Sequence, residues 1–169
     1  MNATKYAAMA IAVFTVTQIA MAGVVVVPPV PVTTFSGTDD TRVGIGLRFE
    51  FGDNTVQVVG SVRHTYTNTD NNVTGALAEI AVPVFPDTNF APKVRAMGTF
   101  GNTTFQGEAG IGYDFANQQP LIGVGIQGPY VEAGANYLFD GQFHPYIGVD
   151  TYSGAPGATS TTVLLPPPN

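Results

Sequence analysis

Cysteine is absent from the 169-residue chain, which excludes disulfide bonds, thiolate metal sites and a cysteine nucleophile. Charged residues are also scarce: they form 11% of the chain, whereas about a quarter is usual in a soluble domain. The formal net charge is −6 and no cluster of Lys or Arg occurs, so we expect no nucleic-acid partner, because phosphates are bound by clustered basic side chains. The length suits one domain.

Long hydrophobic runs are confined to the N-terminus. The apolar stretch Ala7–Ile19 follows a lone lysine and precedes the small residues Ala20-Met21-Ala22, a pattern typical of a secretory signal peptide. We predict a signal peptide over residues 1–22. The alternative is an uncleaved anchor extended by Val24–Val27, but its apolar core is short for a membrane helix. No other window reaches the ~20 apolar residues of a membrane helix, so a mature chain that crosses a membrane must cross it as strands.

Proline marks both ends of the predicted mature chain. Because proline fixes φ and lacks an N–H, Pro28-Pro29-Val30-Pro31 predicts an extended leader over residues 23–41. Residues 153–169 end in three prolines and carry no charged side chain, so we predict a flexible C-terminal tail. The domain is expected between them, over residues 42–152.

Residues 42–152 alternate between apolar and polar side chains, with turn residues at short intervals. A period of two is typical of strands that present different faces to two environments. The alternation predicts the eight strands Arg42–Phe51, Thr55–Thr67, Val73–Val84, Lys93–Phe100, Thr103–Phe115, Pro120–Gln127, Tyr130–Phe139 and Phe143–Tyr152.

Charge and glycine share one face of these predicted strands. An eight-stranded barrel can be a soluble carrier with an apolar interior or a membrane barrel with an apolar exterior. A soluble exterior has no need of glycine, whereas long charged side chains fit a narrow lumen only beside very small neighbours. We therefore predict that the polar face lines the lumen, where buried charges persist if they are paired. The predicted interior charge network is Arg42, Arg48, Glu50, Arg63, Glu79, Lys93, Arg95, Glu108, Asp114, Glu132 and Asp150.

Aromatic residues cluster at the two ends of the predicted strands. Phe51, Phe115 and Phe139 represent one rim, and Tyr66 and Phe100 represent the other. Two aromatic belts are typical of the two membrane interfaces. Ten residues at ~3.3 Å each, tilted by ~45°, rise roughly 24 Å, which matches the ~25 Å apolar band of outer-membrane barrels. We expect outer-membrane lipid around the barrel.

With its signal peptide, strand number and alternation, the chain resembles the small eight-stranded bacterial outer-membrane barrels, the class of the outer membrane protein A transmembrane domain. Segments such as Gly107–Tyr113 and Pro145–Val149 carry the resemblance, which covers residues 42–152. It implies an all-β fold, an eight-stranded antiparallel up-and-down transmembrane β-barrel, located in the bacterial outer membrane. Such proteins usually end on a strand with a C-terminal aromatic residue, whereas residues 153–169 follow the last strand here.

Side chains capable of catalysis are few. The two histidines, His64 and His144, lie at opposite ends of the predicted barrel, and Ser61 lies far from His144, so we expect no catalytic residues. We expect His144 to be a rim residue that bonds to water, and Glu108 and Glu132 to neutralise lumen arginines. No spaced set of oxygen ligands suggests calcium, and we expect neither a metal nor a cofactor.

These features favour a non-enzymatic, structural or surface-exposed outer-membrane protein, a monomer whose lumen is filled by side chains. Two alternatives stay open. One is a secreted β-rich subunit that polymerises by donating Val24–Val32 as a strand. The other is a narrow channel gated by the interior charges.

Overall fold

The computed structural model describes residues 29–86 and 90–166. The predicted signal peptide and the first part of the leader, residues 23–28, lie outside this range. Within it, no helix is long and apolar enough to cross a membrane. The strands are β1 Val30–Ser36, β2 Thr38–Glu50, β3 Thr55–Thr67, β4 Asn72–Phe85, β5 Lys93–Asn102, β6 Gln106–Asp114, β7 Gln119–Gly128, β8 Val131–Leu138, β9 Phe143–Asp150 and β10 Thr159–Leu165.

Strands β2 to β9 form a closed barrel in which each strand pairs with its neighbours in chain order. All these pairs are antiparallel, and β2 closes on β9 from Gly46 opposite Asp150 to Glu50 opposite Tyr146. The predicted eight-stranded, antiparallel, up-and-down barrel is confirmed. Its first strand begins earlier than the predicted Arg42, because β2 already pairs with β3 at Thr38. Closure limits the free sheet edges that invite aggregation to the first part of β2, which extends beyond its pairing with β9.

The barrel has two ends that differ in what they carry. The loop end holds the connections β2–β3, β4–β5, β6–β7 and β8–β9, and the terminal end holds the other connections together with the start of β2 and the end of β9. Asn54 and Asn71 occupy turn positions with φ of 52° and 61°. Asparagine tolerates this left-handed conformation, which lets both turns stay short.

Side chains on the outer surface of the barrel are largely apolar and exposed. Val43 in β2 is 81% exposed, and Ile111 is 69% exposed although it has strand partners on both sides. The inward positions of the same strands are instead buried and mostly polar. The barrel therefore reverses the usual order of a soluble protein, in which apolar side chains lie inside.

The predicted leader and tail come together as a second sheet. β1 and β10 pair antiparallel, from Val30 opposite Leu165 to Ser36 opposite Thr159, so residues 159–165 form a strand and not a flexible tail. Side-chain hydroxyls join the strands as well, with 2.9 Å between the Oγ1 atoms of Thr33 and Thr162. We call this pair the terminal ribbon. Valine and threonine favour strands once a partner is present, although neither segment shows the alternation of a barrel strand.

The residues between β9 and β10 cross the lumen at the terminal end. Within this closing segment, Thr151–Ala158, the Ala155 N–H donates to the Thr103 carbonyl at 3.0 Å, and the Ala158 N–H donates to Asn71 Oδ1 at 3.0 Å. Gly154 has φ of +100°, and a Cβ there would lie 2.5 Å from the Thr103 carbonyl oxygen, so this position requires glycine. The last barrel strand consequently ends at Asp150 and not at the predicted Tyr152.

Candidate functional site

Four paired charges fill the middle of the lumen. The Arg48 guanidinium donates to Glu79 at 2.5 Å and to Glu132 at 2.7 Å, and Arg95 donates to Glu79 at 2.9 Å. Both guanidinium groups lie over the Tyr146 ring, 4.4 Å and 4.7 Å from its centroid. Two positive and two negative groups therefore balance within this middle cluster, as buried charges require.

Glycine provides the space for the middle cluster. A Cβ on Gly134 would lie 2.5 Å from the Tyr146 hydroxyl oxygen, and one on Gly148 would lie 2.5 Å from Glu132 Oε1. Real side chains do not approach so closely, so larger residues would displace Tyr146 or Glu132. The association of glycine with charge in the sequence has this steric cause.

A second cluster lies nearer the terminal end. Arg63 donates to Glu108 at 2.5 Å and to Gln106 Oε1 at 3.2 Å. Its guanidinium carbon lies 4.4 Å from the centroid of the Tyr152 ring, and the Gln106 amide donates to the Tyr152 hydroxyl at 3.0 Å. The closing segment thus supplies a buried side chain to the lumen network.

The third group of charges, the loop-end cluster, surrounds Lys93. Its ammonium nitrogen lies 2.7 Å from Glu50, 2.9 Å from Asp53 and 3.0 Å from Asp114. Glu50 and Asp114 are fully buried, while Asp53 sits in the β2–β3 turn and is partly exposed. Three carboxylates face one ammonium group here, so acidic groups outnumber basic ones, unlike in the middle cluster.

His144 completes the loop-end cluster. Its Nδ1 lies 3.1 Å from Glu50 Oε1 and 3.3 Å from Asp53 Oδ2, and its Nε2 lies 3.0 Å from Gln142 Oε1. The side chain is buried, and both ring nitrogens face protein atoms. His144 lies at the rim and faces the lumen, as expected, but its ring nitrogens face Glu50, Asp53 and Gln142 in place of the expected water.

Most of the residues assigned to the interior network from the sequence lie buried in these clusters. Arg42 and Asp150 differ. Arg42 is partly exposed, with its Nε 2.6 Å from Asp40, and it donates to the Gly154 carbonyl. Asp150 accepts a hydrogen bond from the Tyr152 N–H. The buried members are Arg48, Glu50, Arg63, Glu79, Lys93, Arg95, Glu108, Asp114 and Glu132.

Further side chains, neutral except for Asp53, complete the network. Those within the predicted strands, Tyr152 included, share the inward parity of the charged residues, and that parity was the signal by which they could have been found. Asp53 lies in a turn, where parity gives no guidance. The additional lumen residues are Asp53, Gln57, Gln106, Gln127, Asn136, Tyr146 and Tyr152.

Cavities remain at the two ends of the lumen. A pocket of about 280 Å³ at the loop end is lined by residues that include Asp53, Gln57 and Lys93. At the terminal end, a cavity of about 30 Å³ lies beside Arg63 and Tyr152. The middle cluster fills the space between them.

Comparisons with known proteins yielded no match: no family model, no curated protein and no solved structure is similar to the chain. The function must therefore be argued from the geometry of the barrel itself.

Proposed function

We propose that this protein is an outer-membrane β-barrel that spans the lipid as a monomer and serves a structural or surface-exposed role without catalysis. The observation that carries the proposal is the reversed distribution of side chains, with exposed aliphatic groups outside and paired charges inside. A soluble monomer rarely exposes apolar patches beyond a few hundred Å². In lipid, these apolar side chains are not exposed to water, so the free-energy cost of exposing them does not arise.

The few polar groups on the outer face are consistent with this proposal. Among the described strand residues, Asp39 and His64 are the acidic or basic side chains that point outward, and they lie 3.9 Å apart near the terminal end. Their position leaves the middle of the outer face free of charge, where a charged group would be costly in lipid.

Exposed aromatic side chains occur at both ends of the barrel. Phe115 and Tyr113 pack edge to face at the loop end, with ring centroids 4.9 Å apart. Phe100 and Tyr130 are exposed at the terminal end. Aromatic rings at two levels, separated by aliphatic residues, suit the two membrane interfaces.

The filled lumen favours a structural role over a narrow channel. Arg48 bridges Glu79 and Glu132 across the lumen, so ions could pass only if these contacts separated. The strand-donation alternative has less support, because Val30 and Val32 already pair with β10 of the same chain. In planar bilayers we expect no conductance from the wild type, and steps altered by Glu108→Ala would instead favour a channel.

Cell fractionation tests the membrane proposal directly. We expect the full chain, expressed in a Gram-negative host, to enter the outer-membrane fraction and to require detergent for extraction. Folded outer-membrane barrels also migrate differently in gels before and after boiling, and the chain should show this shift. Recovery as a soluble periplasmic protein that needs no detergent would refute the proposal.

A further inference from the structure

We propose that the loop-end cluster is a binding site for a divalent transition-metal cation, with Zn²⁺ as the representative ion. The ligands are His144 Nδ1, Glu50 Oε1 and Asp53 Oδ2. These groups reach one point from β9, from β2 and from the β2–β3 turn. The proposal concerns the interior of the barrel and does not depend on what surrounds the outer face.

The geometry and chemistry of the ligands suit such an ion. One ligand atom from each of His144, Glu50 and Asp53 lies within 4.8 Å of the others. One imidazole nitrogen and two carboxylate oxygens form a set that zinc and related ions accept, whereas magnesium and calcium prefer oxygen alone. Three protein ligands also leave a coordination position for water.

The surroundings of His144 accommodate a tautomer that can bind a metal ion through Nδ1. Gln142 Nε2 donates to Asp140 at 2.9 Å, which orients Gln142 Oε1 toward His144 Nε2 at 3.0 Å. In the tautomer with its proton on Nε2, the ring turns the Nδ1 lone pair toward two carboxylate oxygens. A cation between these acceptors removes their repulsion. Metal-binding histidines commonly donate their second N–H to a carbonyl in this way.

The charges of the cluster also favour a cation. Glu50, Asp53 and Asp114 all lie within 3.0 Å of the single Lys93 ammonium. A metal ion that takes Glu50 and Asp53 still leaves Lys93 its contact with Asp114. The added positive charge would balance carboxylates that one lysine neutralises only in part.

A buried amide oxygen provides a second sign of a missing partner. Gln57 is 2% exposed and lines the loop-end pocket, and its Oε1 has no hydrogen-bond partner among the described residues. The other end of the same amide donates to Glu50 Oε2 at 2.5 Å, which places Gln57 beside the proposed ligands. The pocket of about 280 Å³ at the loop end is also lined by the proposed ligand Asp53.

Zinc titration of the metal-free, full-length protein in detergent micelles tests the site. By isothermal calorimetry we expect one Zn²⁺ per chain. His144→Gln should weaken binding by more than about tenfold, since losing a ligand costs more affinity than losing a group that only orients a ligand. His64→Gln is the matched control, because His64 is the other histidine and lies on the outer face; it should bind as the wild type does. No saturable binding by the wild type, or equal binding by His144→Gln, would overturn the proposal.

Two turn substitutions keep the test informative if His144→Gln does not fold. Asp53→Asn removes a ligand at a partly exposed position, and Gln142→Leu removes only the acceptor behind His144. Asp53→Asn should weaken Zn²⁺ binding as strongly as loss of His144, and Gln142→Leu should weaken it by about 10- to 100-fold. The gel shift on boiling verifies folding in each case. Wild-type affinity in both folded variants would contradict the assignment of the ligands.

Discussion

Arg48 shows how a narrow barrel accommodates a long charged side chain at its centre. Its guanidinium group bonds to Glu79 and Glu132 and rests on the Tyr146 ring, so its charge and its apolar face both have partners. The carboxylates on either side depend on the same group. Loss of the arginine would leave Glu79 with Arg95 alone and would leave Glu132 without a basic partner among the described residues.

We expect Arg48→Ala to destabilise the barrel strongly. Removing one partner of a buried ion pair typically costs about 3–5 kcal/mol, because the remaining charge is buried without compensation. Urea unfolding in lipid vesicles measures this change. Arg42→Ala is the control: that side chain is partly exposed, and a surface pair contributes only about 0–1 kcal/mol. Similar losses in both variants would contradict a stabilising role for the middle cluster.

Gly134 illustrates the steric requirement of the lumen. We expect Gly134→Ala to cost about 1–3 kcal/mol, the usual penalty for overpacking, because the new methyl group would collide with the Tyr146 hydroxyl and the Val124 carbonyl. Equilibrium unfolding again provides the measurement. At the outward-facing Gly98 a Cβ would have its nearest neighbour 3.8 Å away, so Gly98→Ala should be neutral or slightly stabilising. An equally harmful Gly98→Ala would remove the steric explanation.

At the scale of elements, the barrel strands could be predicted from the sequence because each strand separates two environments. In β6, for example, Glu108, Gly110 and Gly112 alternate with Ala109 and Ile111, so local order alone assigns the faces. The terminal ribbon has no such signal. Both of its faces are exposed, and its pairing joins segments from opposite ends of the chain, which local patterns cannot reveal.

The contacts within the loop-end cluster were hidden from the sequence. His144 and Glu50 are 94 residues apart, and they meet only because β2 closes on β9. Parity places both on the inner face and their strand positions place both near one rim, but neither shows which side chains touch. Strand register and the conformation of the β2–β3 turn, which brings Asp53 back over the opening, decide that they are neighbours.

Two truncations separate the roles of the closing segment and the terminal ribbon. A chain ending at Ala158 loses β10 but keeps Tyr152 and the segment across the lumen, so we expect a folded barrel with the gel shift on boiling. A chain ending at Asp150 also loses the Tyr152 ring beside Arg63 and exposes the terminal mouth. It should unfold at a lower urea concentration. Equal stability of the two truncated chains would show that the closing segment contributes nothing.

For the whole molecule, the proposed membrane location makes a prediction that depends on height along the barrel. Ile111 lies at the middle of β6 and Phe143 at the first position of β9, and their exposed fractions are similar, 69% and 63%. In water, arginine at either position would be tolerated equally. In lipid, arginine costs about 2–4 kcal/mol at the midplane but about 0–1 kcal/mol near the interface.

We therefore expect Ile111→Arg to be less stable than Ile111→Ala by about 2–4 kcal/mol in phospholipid vesicles. The same comparison at Phe143 should give a difference of about 0–1 kcal/mol, and the alanine variants account for the loss of each apolar side chain. Urea unfolding of the four variants supplies both differences. If the arginine and alanine variants differ in unfolding free energy by the same amount at Ile111 and at Phe143, water and not lipid surrounds the outer face. Two residues of equal exposure can differ in this way only if one lies deeper than the other in an apolar layer of limited thickness.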